Sequence, residues 1–420
     1  MFDKDFWIEV LQTVKRQKWR SVMTAFGVFW GLLMLMFLIG AGVGFKEGIV
    51  GQLKQMPSNT VGYITNTTTM AYNGMESGRE WNIEQSDLDD INNTFPNAVL
   101  ETAHIKYLPT QGSVLPVSYM EASDEVTVAG VSSFYEVISP QRVLEGRYIN
   151  EFDNNEMRKI CVLGVNVART LFSDGASPLG KEVSIDGNSY NVVGVTKKTN
   201  DLVNLGPNES NSVFIPIKTA QFVYNVPDRS DRVFMVLSDN CQSSDYYLKF
   251  DRIIRARHQL HPSDEAALAS LDLKNMLNQF DIMIGGLNAL VWLVGLGTLL
   301  AGLIGISNIM LITVKERTQE IGVLRALGAR PWTIIKQIMS ESLVLTLAAG
   351  IVGIIVGSWG MFLINYMVST AESGFFSNPH VPFVPTIAAL AILVLGGLFA
   401  GFVPAKRAMK IKAIEALREE

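Results

Sequence analysis

One short segment has the residue types of a phosphate-binding loop. Residues 175–181 read Gly-Ala-Ser-Pro-Leu-Gly-Lys, which is close to the glycine-rich loop that cradles a nucleotide phosphate. Glu182 occupies the position where such a loop needs a hydroxyl group for Mg²⁺. We therefore interpret the segment as a turn that leads into a strand, and we expect no ATP to bind there.

The cysteines and histidines lack the spacing of a metal or redox site. Cys161 lies in an apolar run and Cys241 lies far along the chain, so the sequence leaves open whether they pair. The four histidines are isolated, and His258 and His261, three residues apart, have no neighbouring cysteine and no second pair. No nucleophile elbow is recognisable. We expect no catalytic residue, no metal and no cofactor in this chain.

The composition indicates a membrane protein. Of 420 residues only 18% are charged, against about 25% in soluble proteins, and the mean hydropathy is +0.23. With 48% apolar residues, 35 glycines and two cysteines, the chain is not collagen-like, disordered or disulfide-stapled. Its 35 basic and 40 acidic residues give a net charge of −5, which argues against a nucleic-acid partner.

Four stretches without Asp, Glu, Lys or Arg predict the architecture. They cover residues 21–45, 282–314, 342–371 and 381–405. Each is long enough for the ~20 apolar residues of a transmembrane helix. The expected fold class is a membrane protein with four transmembrane α-helices, spans 1 to 4, and a large extracytoplasmic α+β domain inserted between spans 1 and 2.

Lysine and arginine near the span ends predict the orientation, because they resist translocation. They precede span 1, lie between spans 2 and 3 and follow span 4, whereas the loop between spans 3 and 4 has none. Residues 46–281 carry 20 basic and 30 acidic groups, a net of −10. We expect both termini and the loop between spans 2 and 3 to be cytoplasmic, with the large domain outside. A cleaved signal peptide is disfavoured, because the first apolar run exceeds the ~7–15 residues of a signal.

These observations divide the chain into nine segments. They are a cytoplasmic amphipathic helix (1–20), span 1 (21–45), an outer domain with stalk helices (46–281), span 2 (282–314), a cytoplasmic loop helix (315–337), span 3 (338–370), a short outer loop (371–383), span 4 (384–405) and a cytoplasmic tail (406–420).

The large domain alternates short β-branched runs with turns and helices. Strands are predicted at 126–131, 159–163, 182–185 and 190–195, and Asp186-Gly187-Asn188 is predicted to form a hairpin turn. Helices are predicted at 86–93 and 165–171, and Ser86 is expected to open the first of them. Ser263 is a plausible N-cap of a stalk that continues into span 2, and span 1 is expected to extend to Gln55.

The spans contain no charge at mid-membrane, which argues against an ion pore. They do contain small residues three and four apart, a spacing that lets helix backbones approach closely. Two interpretations remain open, packing within the chain and a dimer face. The glycines are Gly27, Gly31, Gly350, Gly353, Gly357, Gly360, Gly397 and Gly401.

The loop between spans 2 and 3 contains a predicted amphipathic helix. Its apolar side would carry Ile321, Leu324 and Leu327, and its charged side Glu316, Arg317 and Glu320. Gly328 would end the helix before Pro331. Such a helix either acts as a lever for a soluble partner or rests on lipid headgroups.

The run from Glu316 to Ala329, Glu-Arg-Thr-Gln-Glu-Ile-Gly-Val-Leu-Arg-Ala-Leu-Gly-Ala, closely resembles the signature of MacB/FtsX-type permeases of ABC transporters. Two further segments resemble the same family. They are the run that starts at Arg20, Arg-Ser-Val-Met-Thr-Ala-Phe-Gly-Val, and the Pro404–Arg418 segment. The outer domain resembles the MacB periplasmic core through 128–131, 144–149, 162–165, 177–181 and 193–195. The resemblance spans nearly the whole chain in family order.

The resemblance implies a mechanism. Such permeases dimerise and bind cytoplasmic ABC ATPase subunits through the loop helix, and ATP-driven motion reshapes the periplasmic domains. With about twenty residues ahead of span 1, ATP and Mg are expected to be bound by a separate ATPase chain. The coupling residues carried over are Glu316, Arg317, Glu320, Ile321, Gly322, Leu324, Arg325 and Gly328.

The first hypothesis is the non-catalytic permease subunit of a MacB-like exporter or extractor, a homodimer or a heterodimer with a related permease. It could work with a periplasmic adaptor and an outer-membrane channel. The alternatives are an FtsX-like regulator of an extracytoplasmic enzyme, a lipoprotein-releasing permease, or a receptor without an ATPase. The sequence does not identify the substrate.

Overall fold

The computed structural model describes residues 18–53, 55–173, 175–198, 205–226, 228–370 and 376–409. The chain divides into two compact units, with boundaries after residues 48 and 281. We call residues 49–281 the outer unit and the remainder the membrane unit. The predicted N-terminal amphipathic helix lies largely outside the described residues, as do residues 371–375 and 410–420.

The helices and strands alternate along the chain. In chain order they are α1 (Lys18–Leu53), β1 (Thr60–Thr65), β2 (Ile83–Glu84), α2 (Gln85–Thr94), β3 (Val99–Leu108), β4 (Leu115–Tyr119), β5 (Ala122–Val131), α3 (Tyr135–Ile138), β6 (Arg142–Gly146), α4 (Glu151–Asn155), β7 (Ile160–Gly164), α5 (Val165–Leu171), β8 (Glu182–Ile185), β9 (Asn188–Lys197), β10 (Ser212–Pro216), α6 (Ile217–Val223), β11 (Arg229–Ser230), β12 (Arg232–Leu237), α7 (Ser243–Arg257), β13 (Leu268–Asp272), α8 (Leu273–Glu316), α9 (Thr318–Ala326), α10 (Pro331–Thr370) and α11 (Phe383–Ala408).

Among the described residues, four helices are long and apolar enough to cross a membrane: α1, α8, α10 and α11. This confirms the predicted number of spans and the insertion of the large domain between the first two. The helices exceed the charge-free runs, since α8 has 44 residues and α10 has 40. A helix continues past the hydrocarbon because charged residues such as Lys315 are good helix formers in water.

The start predicted for the helix that precedes span 2 is wrong. Ser263 does not cap a helix, because residues Leu268–Asp272 form β13, which pairs antiparallel with β1. The helix begins at Leu273, where the Asp272 carboxylate accepts hydrogen bonds from the N–H groups of Lys274 and Asn275 at 3.1 and 3.2 Å. An aspartate in this position satisfies helix amides that have no partner within the helix.

One eleven-stranded mixed sheet organises the outer unit. Strands β10, β7, β9, β8, β4 and β5 pair in that order, and the parallel pairing of β10 with β5 closes them into a ring. Beyond β5 the sheet continues through β3, β12, β1 and β13. Because a closed ring has no free edge, its strands are protected from pairing with other chains.

Two apolar clusters fill the outer unit. The ring encloses one, which includes Val128, Leu163 and Val192, with α5 and α6 packed against it. The other lies between the open part of the sheet and helices α2 and α7, and includes Ile91 and Phe250. These clusters and the mixed sheet confirm the predicted α+β character of the domain.

Local signals for most strands and turns were correct. Residues 182–185 form β8 as predicted, and Asp186 and Gly187 have φ values of +49° and +80°, which a two-residue hairpin turn requires. The predicted helix at 165–171 is α5. Helix α2 begins at Gln85, one residue before the predicted start at Ser86, because the Asp87 carboxylate accepts the N–H of Glu84 at 2.8 Å and caps the helix there.

Candidate functional site

The site predicted in the 2–3 loop forms a separate short helix. Helix α9 covers Thr318–Ala326, after α8 has ended at Glu316 and before α10 starts at Pro331. Gly328 has a φ of +89° and ends it as expected. The N–H of Ala329 donates to the Leu324 carbonyl at 3.0 Å and the N–H of Gly328 to the Arg325 carbonyl at 3.1 Å. This pattern is a Schellman motif, in which a left-handed glycine satisfies the last helix carbonyls.

Arg317 attaches the start of α9 to α10. Its Nη1 lies 3.1 Å from Oε1 of Glu341, whose side chain is only 5% exposed, whereas the Arg317 side chain is 23% exposed. Its Nε also lies 3.6 Å from Oε2 of Glu320. Removing one partner of a buried ion pair is strongly destabilising, so the pair holds the two helices in one arrangement.

Arg325 attaches the other end of α9 to α11. Its Nη1 donates to the carbonyl oxygen of Met409, the C-cap residue of α11, at 2.9 Å. The last carbonyls of a helix lack partners within the helix and carry partial negative charge, so a guanidinium there is favourable. The two arginines thus connect opposite ends of α9 to two different membrane helices.

The predicted apolar side of α9 is divided between interior and surface. Ile321 is buried with Ile334 and Ile338 in the apolar cluster of the membrane unit, and Gly322 is buried beside it. Leu324 and Leu327 are 42% and 80% exposed. Residues three apart on an α-helix drift by about 60° around its axis, which turns the later leucines progressively away from Ile321.

Four exposed residues of α9 and its C-cap form one stripe at helical spacing. Glu320, Val323, Leu324 and Leu327 follow an i, i+3, i+4, i+7 pattern, and we call them the exposed α9 face. Glu320 is 61% exposed. Trp332, in the first turn of α10, is also exposed. A mixed apolar and acidic surface of this kind suits a protein partner better than bulk solvent.

Sequence reasoning missed two residues near this site, Glu341 and Trp332. Glu341 directly precedes the charge-free run of span 3, a position that marks only the boundary of the span. A carboxylate next to a long apolar run can indicate a buried ion pair, because a buried carboxylate requires a basic partner.

The glycines of span 1 lie against the helix of span 2 within the same chain. A methyl group on Gly31 would lie 3.1 Å from the carbonyl oxygen of Thr298, and one on Gly27 would lie 3.6 Å from Cα of Gly302. Close backbone approach of this kind is what small residues permit in membrane helices.

The glycines of span 3 also face other helices of this chain. A methyl group on Gly353 would lie 3.3 Å from the carbonyl oxygen of Phe29, and one on Gly357 would lie 2.9 Å from Cβ of Met36. The remaining four meet side chains of the membrane unit within 2.7–2.9 Å: Gly350 meets Leu393, Gly360 meets Phe37, Gly397 meets Thr346 and Gly401 meets Ser342. All eight predicted glycines therefore lie at contacts inside one chain.

Two histidines of the outer unit have polar structural partners. His104 Nδ1 lies 3.1 Å from the Ser230 hydroxyl, and burial lowers the pKa of His104 to about 4. His258 Nε2 lies 2.8 Å from the buried carboxylate of Asp87. Cys161, which is buried, and Cys241 are both free thiols. In the part of the chain that the structure describes, no three His, Cys, Asp or Glu side chains are grouped to hold a metal ion.

Two family models match the chain. Residues 21–245 match the MacB-like periplasmic core domain, and residues 292–413 match the FtsX-like permease C-terminal domain. The first match alone covers more than half of the chain.

Curated relatives align along nearly the whole chain. The pyoverdine export ATP-binding/permease protein PvdT of Pseudomonas entomophila is 27% identical over 98% of this chain and 60% of its own length. The macrolide export ATP-binding/permease protein MacB of Bdellovibrio bacteriovorus is 27% identical over 97% of this chain and 61% of its own length. The chain thus spans about three-fifths of the length of the curated relatives it matches. The solved periplasmic region of MacB from Actinobacillus actinomycetemcomitans is 14% identical, with a TM-score of 0.43, and the match covers 56% of this chain and 97% of that one.

Proposed function

Because the chain belongs to the family of permeases with a MacB-like periplasmic core domain and an FtsX-like C-terminal domain, we propose that it couples ATP hydrolysis in the cytoplasm to export. In this proposal an ABC ATPase moves α9, and the membrane helices transmit the motion to the outer unit. The supporting observation is that α9 is attached at one end to Glu341 of α10 and at the other to Met409 of α11. A helix fixed at both ends transmits displacement instead of swinging freely.

The proposed orientation places α9 in the cytoplasm and the outer unit in the periplasm of a bacterial inner membrane. Lysine and arginine flank the membrane helices at the α9 end, and residues 46–281 carry a net charge of −10. Both termini would then be cytoplasmic. Substrate would be handled by the outer unit, since the spans lack the mid-membrane charges of an ion pathway.

The proposed partner is an ABC ATPase subunit, which would bind ATP and Mg. The names of the relatives combine ATP binding with permease activity, and this chain aligns with three-fifths of them. The exposed α9 face would contact the ATPase, with Glu316, Arg317, Glu320 and Arg325 facing or orienting the contact. This chain itself would be non-catalytic.

The complex would contain two permease chains, either identical or related, and would work with a periplasmic adaptor and an outer-membrane channel. The glycines described above lie at contacts within one chain, so the proposed dimer uses other surfaces. The relatives are named for export of pyoverdine and of macrolides, which supports export as the activity.

The experiment is to co-express the chain with its ATPase and measure stimulation of ATP hydrolysis in purified complexes. Glu316→Lys with Glu320→Lys should abolish stimulation without lowering membrane abundance, because two charges at the proposed contact are reversed. Glu121→Lys with Glu125→Lys, an equal charge change at exposed positions of the outer unit, is the matched control. Unchanged stimulation in the first variant, or equal loss in both, would overturn the coupling role.

A further inference from the structure

A cavity of about 470 Å³ lies in the membrane unit beside the start of α9. Its walls come from α8, from Thr318 of α9 and from Arg407 of α11. The α8 residues are Asn308, Leu311, Ile312, Val314 and Lys315. Four of them, at positions 308, 311, 312 and 315, follow the i, i+3, i+4, i+7 spacing of one helix face.

The polar part of this cavity is basic. Lys315 and Arg407 are both exposed, and neither forms an ion pair with any residue that the structure describes. Among the residues that the structure describes, no carboxylate lines the cavity. Glu316 follows Lys315 in sequence but points about 100° away around the helix axis. Two cations from different helices therefore line one cavity, and no carboxylate of the described residues lies beside them in its wall.

The side-chain amide of Asn308 adds an uncharged polar group to the cavity wall, two turns before Lys315 on α8. Asn308 is exposed on a membrane helix, and its side chain makes no hydrogen bond to the described residues. An unpaired amide facing hydrocarbon is unfavourable, so a polar ligand at this level would stabilise it. Leu311 and Ile312 complete an apolar wall on the same face.

We propose that this cavity binds the phosphate headgroup of an anionic phospholipid from the leaflet at the α9 end of the membrane unit. The cations match the phosphate charge, the Asn308 amide can donate to ester or glycerol oxygens, and the apolar wall matches an acyl chain. Basic pockets between membrane helices suit anionic headgroups. A soluble phosphate would use the polar end alone, whereas a phospholipid uses both ends of the cavity.

The test is lipid retention by the purified full-length chain, measured by native mass spectrometry after incubation with equimolar phosphatidylglycerol and phosphatidylcholine of the same acyl chains. The unaltered chain should retain phosphatidylglycerol preferentially. Lys315→Gln with Arg407→Gln should lower that preference roughly thirtyfold, given the attraction expected per basic residue. Lys315→Arg should preserve it, which separates loss of charge from loss of fold.

The matched control is Lys336→Gln with Lys406→Gln, which removes two exposed charges at the same end of the helices but outside the cavity. Equal loss in both double variants, or unchanged preference in the first, would overturn the proposal, because either result indicates diffuse attraction. Complete displacement of the lipid by glycerol phosphate would also overturn it, in favour of a soluble phosphate ester.

A protein partner is the remaining alternative occupant. If Lys315→Gln with Arg407→Gln abolished ATPase stimulation but left lipid retention intact, the cavity would instead receive acidic side chains of the ATPase. Since lipid retention is measured on the chain alone, its outcome does not depend on the proposed coupling function.

Discussion

Nη1 of Arg317, the residue that precedes α9, lies 3.1 Å from Oε1 of Glu341 in α10. The two residues are 24 positions apart in sequence, and the carboxylate is almost fully buried. This pair fixes the start of the proposed coupling helix on the membrane unit, and its removal is the most direct way to loosen that helix.

We expect Arg317→Ala to destabilise the docking of α9 by about 3 kcal/mol, because it removes the guanidinium that pairs with the buried Glu341 carboxylate. Amide hydrogen exchange in residues 318–326 should become faster. Glu320→Gln is the control, since Glu320 is mostly exposed and surface pairs contribute about 0–1 kcal/mol. Unchanged exchange in Arg317→Ala would show that other contacts hold the helix.

Leu327→Asp tests the exposed α9 face. The side chain is 80% exposed, so the substitution should leave folding nearly unchanged while it disrupts an apolar contact with the ATPase. Co-purification of the ATPase should fall by roughly tenfold or more, as expected for a central contact residue. Ile321→Asp, at a buried position, should instead lower the amount of folded protein. Normal ATPase recovery with Leu327→Asp would place the contact elsewhere.

The glycine contacts predict a sharp difference between two similar substitutions. Gly31→Ala should destabilise the membrane unit by about 1–3 kcal/mol, because the added methyl group meets the backbone of Thr298 at 3.1 Å and backbone cannot rotate away. Gly305→Ala should be neutral or slightly stabilising, since nothing lies within 4 Å of the new methyl group and alanine favours helix. Thermal unfolding in detergent compares them; equal melting temperatures would contradict the packing.

His104 should make the outer unit less stable as the pH falls from about 6.5 to about 4. Burial lowers the pKa of the folded imidazole to about 4, so over this interval the unfolded chain binds a proton that the folded chain does not. His104→Gln should therefore flatten the pH dependence of amide exchange in β3, while the Ser230 contact can be retained. If amide exchange in His104→Gln depended on pH as steeply as in the unaltered chain, His104 would be excluded as the source of that pH dependence.

Asp264 should stabilise the outer unit through hydrogen bonds to its carboxylate. This stabilisation should be lost at a lower pH than that of His104. Burial opposes its charge, but the Thr69 hydroxyl and the N–H groups of Thr69, Met70 and Ala267 lower the pKa of Asp264 to about 2. Its stabilisation is present above its ordinary pKa of 3.8 and is lost between about 4 and about 2. Asp264→Asn should already increase exchange in residues 66–70 at neutral pH, whereas Glu265→Gln, at an exposed neighbour, should not.

The sequence predicted the spans because a bilayer leaves few choices. Charge is excluded from hydrocarbon and every backbone group must bond within a helix, so four charge-free runs could only be four helices. The helix end at Gly328 and the Asp186-Gly187 turn were also predictable from local sequence, because each needs a positive φ that glycine or aspartate supplies.

Predictions from the sequence were wrong or missing where a distant part of the chain decides the local structure. The apolar residues between 263 and 277 fit a helix, yet β1, about two hundred residues earlier, pairs with Leu268–Asp272 and makes them a strand. Likewise, nothing near Val128 indicates that it pairs with Val213 to close the ring of strands.

The sequence by itself determined the membrane class, the four spans, the inserted domain and the family motif of α9, because composition, charge and helical spacing are local properties. Only the tertiary structure decided that Arg317 binds Glu341, that Arg325 caps α11, that Leu324 and Leu327 face outward while Ile321 is buried, and that Lys315 and Arg407 share a cavity. Each of these depends on how separate helices pack, and packing joins residues whose spacing along the chain carries no signal of their contact.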